Sequence, residues 1–174
     1  DAHNNFTVGI NDDITNLSVP YDKTFTIPNK NIEFLVYGFG SDGMVSAAKD
    51  LMKVTGTYTN AYVQGYFQYD SKKSGGVTIS HLRFAKKPVK STYYVEKASL
   101  IVCTKESYLK KLKMLDKIKE NGIFVVNSNK KPDDLLLSMT IHDKKIIQSR
   151  NIKVFDLHKG MEIGADITVC KCLS

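Results

Sequence analysis

A glycine-rich segment with the features of an anion-binding loop follows the mostly apolar run Ile32–Tyr37. Its sequence is Gly38-Phe39-Gly40-Ser41-Asp42-Gly43, and apolar residues at helical spacing come next. Glycines let the backbone turn tightly and approach a ligand closely, and the first turn of a helix directs N–H groups and a positive dipole at an anion. The pattern therefore predicts a phosphate group at the backbone of Gly40, Ser41, Asp42 and Gly43. A tight turn that binds no ligand is the alternative interpretation.

A second polar segment, Ser71-Lys72-Lys73-Ser74-Gly75-Gly76, follows the next predicted strand. Its two ammonium groups and two hydroxyls suit several phosphates better than a bare ribose. Asp70, directly before it, is the acidic residue that a dinucleotide-binding fold would use for a ribose, although it lies further from the glycines than is usual. Ligands of open α/β sheets bind outside the carboxyl ends of the strands, so the two segments are predicted to line one pocket. The predicted binding side chains are Ser71, Lys72, Lys73 and Ser74, with solvated surface lysines as the alternative.

The sequence predicts no catalytic residue in this chain. His81 lies in an alternating, strand-like segment, which favours a core or strand-edge histidine over a catalytic one. Arg83 could pair with a carboxylate at a domain boundary or with a phosphate, and the sequence does not distinguish the two. The three other histidines lack metal-ligand spacing among themselves.

The chain has three cysteines. Cys103 ends the apolar run Leu100–Cys103, which predicts a buried thiol. Cys170-Lys171-Cys172 has no second pair of cysteines to complete a zinc or iron–sulfur site, so no metal site is predicted. This cysteine content favours a reducing, cytoplasmic compartment.

The overall composition is that of an ordinary globular domain, with 42% hydrophobic and 25% charged residues and a net charge of +7. Such an excess of lysine attracts anions, but aromatic residues do not interleave with the basic ones as in an RNA-binding sheet, so nucleic acid is not predicted as a partner. No apolar run is long enough to span a membrane. Asp1 begins the chain without a methionine or a signal-peptide pattern, which suggests a fragment or a trimmed product.

Strand-like and helical segments follow one another along the chain. Strands are predicted at Ile32–Tyr37, Ala61–Phe67, Val77–Leu82, Ser99–Cys103, Ile123–Val126 and Ile152–Phe155. One helix is predicted from Met44 to Gly56, with the glycine as its terminator, and another from Thr104 to Gly122, with an apolar stripe of Tyr108, Leu112, Leu115 and Ile118. Shorter helices are predicted after Pro132 and near Met161.

The alternation of strands and helices predicts an α/β fold with three layers, α/β/α, around a mostly parallel sheet. The long non-helical stretch over residues 57–98 adds some antiparallel pairing and makes the sheet mixed. Residues 1–31 are polar and rich in turn-forming residues, and they are predicted to be an arm or linker from a preceding domain. Residues 32–174 are predicted to form one domain.

Two stretches of the chain resemble the pyruvate:ferredoxin (flavodoxin) oxidoreductase family. They are Tyr37–Gly43 and Tyr66–Phe84, of which the part from Asp70 to Arg83 is the more specific. The resemblance begins near Phe6–Thr15, runs on through Gly122–Asn127, and rests on few motif residues after about position 130. It corresponds to the gamma-type domain, domain III, of the 2-oxoacid:ferredoxin oxidoreductases.

The resemblance implies a domain that binds and orients coenzyme A within a larger enzyme. That enzyme would oxidatively decarboxylate pyruvate to acetyl-CoA on thiamine diphosphate with Mg²⁺, and pass electrons through 4Fe-4S clusters to ferredoxin or flavodoxin. The resemblance places those cofactors on domains outside this chain, so the isolated chain would be inactive. It further implies a homodimer, in the cytoplasm or in a hydrogenosome-type organelle if the source is a protist.

Two other interpretations stay open at this point. The glycine-rich segment could belong to a free-standing Rossmann-like module that binds NAD or NADP. It could also be a structural turn in a domain that serves protein interactions.

Overall fold

The computed structural model describes residues 4–10, 14–22, 25, 30–70, 76–130, 134–135 and 138–157. The chain divides into two units, Asp1–Lys30 and Asn31–Ser174. In the first unit, strands β1 (Thr7–Val8) and β2 (Ser18–Val19) form a small parallel pair. The assignment of this unit as an arm from a preceding domain stays a prediction.

The second unit is built on a six-stranded mixed sheet with the order β4-β5-β3-β6-β7-β8. The strands are β3 (Ile32–Phe39), β4 (Tyr62–Tyr69), β5 (Val77–Ala85), β6 (Ala98–Cys103), β7 (Ile118–Val126) and β8 (Lys153–Asp156). Strands β3, β6, β7 and β8 run parallel to one another, whereas β5 is antiparallel to both β3 and β4. The predicted mostly parallel, mixed sheet is therefore confirmed.

Both faces of this sheet are covered because successive side chains of a strand point to opposite sides. Val36 of β3 packs with Ala48 of helix α1 (Met44–Tyr58) on one face. Leu35 and Tyr37 belong to the larger core on the other face, which includes Ile146 of helix α2 (Ile141–Ser149). Helix, sheet and a second helical layer give the three predicted layers.

Helix α1 runs past the residue predicted to end it. Gly56 lies inside the helix, which continues to Tyr58 and is capped by Thr59, whose N–H donates to the carbonyl of Thr55 at 3.0 Å. The prediction of Gly56 as terminator was wrong, because a glycine ends a helix only where the backbone turns into the left-handed region after it. Here Thr59 adopts an extended conformation instead.

The helix predicted over residues 104–122 does not form. Its place is taken by two short 3₁₀ turns, Glu106–Tyr108 and Met114–Lys117, and Ile118 already belongs to β7. The apolar residues of the predicted stripe are nevertheless mostly inside the core, including Tyr108, Leu115 and Ile118. The spacing thus reported burial correctly but did not distinguish a helix from irregular backbone that folds against the sheet.

Helix α2 was not predicted, although its start carries a recognisable signal. The Thr140 hydroxyl accepts a hydrogen bond from the N–H of Asp143 at 3.1 Å and lies 2.6 Å from the Asp143 carboxylate. A threonine followed three residues later by an acidic residue is a variant of the capping-box pattern. The helices predicted at Pro132 and near Met161 begin outside the described residues.

Candidate anion-binding site

The chain changes direction across the sheet at the carboxyl ends of the parallel neighbours β3 and β6, and the place between these two ends is called the crevice below. After β3 the chain crosses to the side of β4 and β5, and after β6 it passes to β7 and β8 on the other side. Helix α1 covers one face next to β3, whereas the turn at Tyr108 packs into the core of the opposite face. Ligands of open α/β sheets bind at such a switch point. The glycine-rich loop follows β3 on one side of the crevice, and Thr104 and Lys105 follow β6 on the other side.

Two glycines of this loop are required by its geometry. A Cβ on Gly38 would lie 2.9 Å from Thr78 Oγ1, 3.1 Å from Met44 Cβ and 3.2 Å from Asp42 Oδ2. Gly43, the N-cap of α1, has φ of 78°, a conformation that residues with a side chain adopt at a cost. The glycines therefore permit the tight entry from β3 into α1.

Asp42 lies within this loop, and both oxygens of its carboxylate accept hydrogen bonds from the protein. Oδ2 accepts from the N–H of Phe39 at 2.6 Å and from the hydroxyl of Thr104 at 2.9 Å, and Oδ1 accepts from the N–H of Met44 at 2.9 Å. The side chain thus ties the end of β3, the start of α1 and the end of β6 together. It also satisfies one of the first-turn N–H groups that the sequence assigned to a ligand.

The second predicted segment begins and ends beside the glycine-rich loop. The N–H of Gly40 donates to the carbonyl of Gly76 at 3.1 Å, and the N–H of Asp70 donates to the carbonyl of Val77 at 3.1 Å. Because Phe39 pairs with Val77 in the sheet, both flanks of the segment lie at the edge that carries Gly40. The predicted binding residues Ser71, Lys72, Lys73 and Ser74 lie outside the described residues, so their role stays a prediction.

Lys105 is a cationic residue at the crevice that the sequence did not single out. Its Nζ lies 4.2 Å from the centre of the Phe39 ring and 6.0 Å from that of Tyr108, and the residue is exposed. The sequence signal was its position two residues after the end of a buried strand, close to where the carboxyl end of β3 carries the glycine-rich segment. Because a helix was predicted to begin at Thr104, Lys105 was assigned to the first turn of that helix and not to a binding site.

His81 is a core histidine, as the sequence favoured. It is 2% exposed, its Nδ1 accepts a hydrogen bond from the N–H of Val95 at 3.1 Å, and its ring stacks on Tyr94 with centroids 4.8 Å apart. Burial and the nearby charges of Lys117 and Arg83 lower its pKa to about 4, so the ring is neutral near pH 7.

Arg83 pairs with a carboxylate of the sheet itself, a partner the sequence did not foresee. It is 1% exposed, and its Nε lies 2.8 Å from Glu33 Oε1 on the neighbouring strand, while one NH₂ group donates to the Tyr93 carbonyl at 2.7 Å. A cleft of about 600 Å³ lies alongside, lined in part by Tyr66 and Tyr94. Since Glu33 compensates its charge, Arg83 is not a free anion receptor in this cleft.

Cys103 is a buried, free thiol, as the sequence predicted. Burial is the main cause that raises its pKa to about 11, so it is protonated and unreactive at neutral pH. Among the described residues no group of three histidine, cysteine, aspartate or glutamate side chains is arranged to hold a metal ion. Over the same residues no helix is both long and apolar enough to cross a membrane. Cys170 and Cys172 lie outside the described residues.

The family model of pyruvate ferredoxin/flavodoxin oxidoreductase matches residues 33–163, which include the sheet and both sides of the crevice. The chain belongs to this family. It is 42% identical over 165 residues to the pyruvate:ferredoxin oxidoreductase of Moorella thermoacetica, an alignment that covers 92% of this chain and 14% of that protein. The chain thus spans about one seventh of the length of this relative.

Two solved structures of related oxidoreductases have a similar fold. The pyruvate oxidoreductase subunit PORC of Thermotoga maritima superposes with a TM-score of 0.53 at 22% identity, covering 64% of this chain and 57% of that one. A 2-oxoglutarate:ferredoxin oxidoreductase of Magnetococcus marinus, solved with 2-oxoglutarate, coenzyme A and succinyl-CoA bound, superposes with a TM-score of 0.52 at 15% identity. That superposition covers 79% of this chain and 22% of the other. At these identities the likeness concerns the fold.

The match to the family model covers both predicted binding segments. The matched region begins at the second residue of β3 and so includes the glycine-rich loop, the flanks Asp70 and Gly76, and Lys105. In this chain the geometry brings these elements to one edge of the sheet, and it keeps Arg83 and His81 inside the core, away from that edge.

Proposed function

We propose that this chain is the part of a pyruvate:ferredoxin or flavodoxin oxidoreductase that binds coenzyme A and orients it for acyl transfer. The observation that carries the proposal is the contact between the two predicted segments, in which the Gly40 N–H donates to the Gly76 carbonyl at 3.1 Å. It supports a shared rim at which a glycine-rich backbone and a lysine pair face the same ligand.

The chemistry of this rim matches the polyphosphate part of coenzyme A, which carries a pyrophosphate and a ribose 3′-phosphate. As in any helix, the first-turn N–H groups of Val45 and Ser46 have no intrahelical acceptor, and they lie next to the loop. Lys105 supplies an ammonium group next to the loop, and Lys72 and Lys73 belong to the segment whose two flanks, Asp70 and Gly76, lie at the same edge of the sheet. Several cations around exposed amides favour a ligand with more than one phosphate.

The domain would contribute orientation rather than bond-making groups. Holding the thiol of coenzyme A near the reacting acyl group removes much of the entropic barrier to transfer. In the proposed whole enzyme, thiamine diphosphate with Mg²⁺ would supply the pyruvate decarboxylation chemistry, and 4Fe-4S clusters would pass electrons to ferredoxin or flavodoxin. We place those groups on other domains of a cytoplasmic homodimer.

Replacing Lys72 and Lys73 together by alanine tests the proposal in the full-length protein. We expect coenzyme A to bind at least about tenfold more weakly, because two charge-assisted contacts to phosphate are lost. Pyruvate-dependent decarboxylation without coenzyme A should remain largely intact. Isothermal titration calorimetry with coenzyme A, 3′-dephospho-coenzyme A and NADP gives the affinities.

Lys86 and Lys87 provide the matched control for this experiment. They form an exposed lysine pair just beyond the carboxyl end of β5, which runs antiparallel to β3 and therefore ends at the opposite edge of the sheet. Their double alanine variant should bind coenzyme A like the wild type. Tighter binding of NADP than of coenzyme A, or equal loss of binding in both double variants, would contradict the proposed function.

A further inference from the structure

We infer that Asp42 and Thr104 are a pair of positioning residues that hold the glycine-rich loop ready for the phosphates of the ligand. This inference rests on the proposed function, since it assigns a role within the same site. The predicted phosphate contact concerned the backbone of the loop, and the inference adds a role for the Asp42 side chain, which shapes that backbone.

The first support is that both oxygens of the Asp42 carboxylate already accept hydrogen bonds from the protein. Its three donors are the N–H groups of Phe39 and Met44 and the hydroxyl of Thr104, at 2.6, 2.9 and 2.9 Å. A carboxylate repels a phosphate, so these contacts, rather than contacts to an anionic ligand, explain an acidic residue in this loop. Charge-assisted hydrogen bonds of this kind are stronger than neutral ones.

The second support is that Thr104 gives Asp42 a fixed anchor on the other side of the crevice. Thr104 lies 62 positions further along the chain and follows β6, the parallel neighbour of β3. Its own N–H donates to the carbonyl of Tyr37 at 3.0 Å, and its hydroxyl also lies 3.3 Å from that carbonyl. The side chains of Asp42 and Thr104 therefore connect the segments that follow the carboxyl ends of the two strands.

The third support is that the loop is exposed and has a strained backbone, so it depends on specific contacts to keep its conformation. Ser41, Asp42 and Gly43 are exposed, and Ser41 has φ of 79°, an unfavourable conformation for a residue with a Cβ. Such a conformation persists only where the surroundings enforce it. Gly38 leaves the space that the Asp42 carboxylate occupies, since a Cβ at position 38 would lie 3.2 Å from Asp42 Oδ2.

The consequence for binding is preorganisation. With Asp42 fixed, the loop backbone and the first turn of α1 are already aligned, so the ligand does not have to order them. The Asp42 charge at the start of α1 also offsets part of the helix dipole, which leaves the phosphate charge to be met by lysines. This explains why a rim built on a helix start also carries cations such as Lys105.

If Asp42 and Thr104 act as a pair, the losses of coenzyme A affinity in the two single variants of the full-length protein should not add up in the double variant. We expect Asp42→Ala and Thr104→Val each to weaken binding by about ten- to hundredfold, and the double variant to bind no more weakly than Asp42→Ala alone. Thr104→Ser, which keeps the hydroxyl, should bind like the wild type. Hydrogen exchange at the amides of Phe39 and Met44 should speed up in Asp42→Ala.

Asp50→Ala and Thr57→Val are the matched controls, because both residues are exposed on α1 and away from the crevice. Unchanged or tighter binding of coenzyme A in Thr104→Val, or simply additive losses in the double variant, would overturn the inference. Thr104→Val removes a single hydroxyl and so tests the pair even if Asp42→Ala fails to fold. If the wild type itself binds no coenzyme A, the proposed function is overturned, and the exchange rates alone then decide whether the pair positions the loop.

Discussion

Single residues at the carboxyl edge of β3 determine whether the glycine-rich loop can form. Gly38 lies under the loop with no room for a methyl group, whereas Gly56 lies within α1, where the nearest atom to an added Cβ would be Val63 Cγ2 at 3.5 Å. The sequence predicted a structural role for both glycines, Gly38 in the tight turn and Gly56 as the end of the helix. Only the contacts around them show that one is required and the other is not.

Gly38→Ala should therefore lower the free energy of unfolding by about 1–3 kcal/mol, because the methyl group would overlap Thr78 Oγ1 at 2.9 Å. Gly56→Ala should raise it by up to about 1 kcal/mol, since alanine is the better helix former. Urea denaturation of the two variants measures both changes. Equal effects at the two positions would show that the space around Gly38 can relax.

At the scale of elements, the central strands carry a buried row of polar side chains. Glu33 of β3 pairs directly with Arg83 of β5, which in turn pairs with Gln64 of β4. Glu33 and Arg83 are 2% and 1% exposed. The ion pair fixes the register of three strands, because a shift of one residue would place both charges among apolar neighbours on the other face.

Glu33→Gln should destabilise the fold by about 3–5 kcal/mol, since it leaves a buried guanidinium without its counter-ion. Glu96→Gln is the control, because the Glu96 pair with Lys117 is solvent-exposed, with side-chain exposures of 65% and 35%. That change should cost less than about 1 kcal/mol. If Glu33→Gln and Glu96→Gln had the same denaturation midpoint, Arg83 would have found another partner in the Glu33→Gln variant.

At the scale of the whole molecule, the stability of the domain depends on a histidine kept neutral in the core. The folded state holds the His81 pKa at about 4, against a usual value of 6.5, so the unfolded chain takes up a proton first as the pH falls. The contribution of neutral His81 is complete above pH 6.5. It decreases by about 1.4 kcal/mol per pH unit between 6.5 and 4, and no further below that.

His81→Asn should flatten this part of the pH profile, because the amide oxygen can still accept from the Val95 N–H but does not titrate. Urea denaturation at pH 7, 6 and 5 measures the slope for both proteins. An unchanged slope in the variant would place the acid sensitivity elsewhere in the molecule. The absolute stability of the variant is not the test, since the smaller side chain also alters packing against Tyr94.

Much of the fold follows from local patterns in the sequence. Short apolar runs located β3 and β6, alternation located β5, helical spacing located α1, and the order of elements predicted a mixed α/β sheet. The segment Thr104–Lys117 shows the limit of this reasoning. Its apolar residues are buried as their spacing indicated, yet the backbone forms two short turns, because contact with the sheet outweighs local helix preference.

The sequence by itself determined the strand–loop–helix motif at Gly38–Gly43 and the polar segment that follows β4, since both depend on neighbouring residues. Only the tertiary structure decided which distant groups meet there. It joined Asp42 to Thr104, brought Lys105 to the crevice, and gave Arg83 its partner Glu33. The physical reason is that strand pairing sets the neighbours of each side chain across the sheet, and no spacing along the chain encodes the strand order.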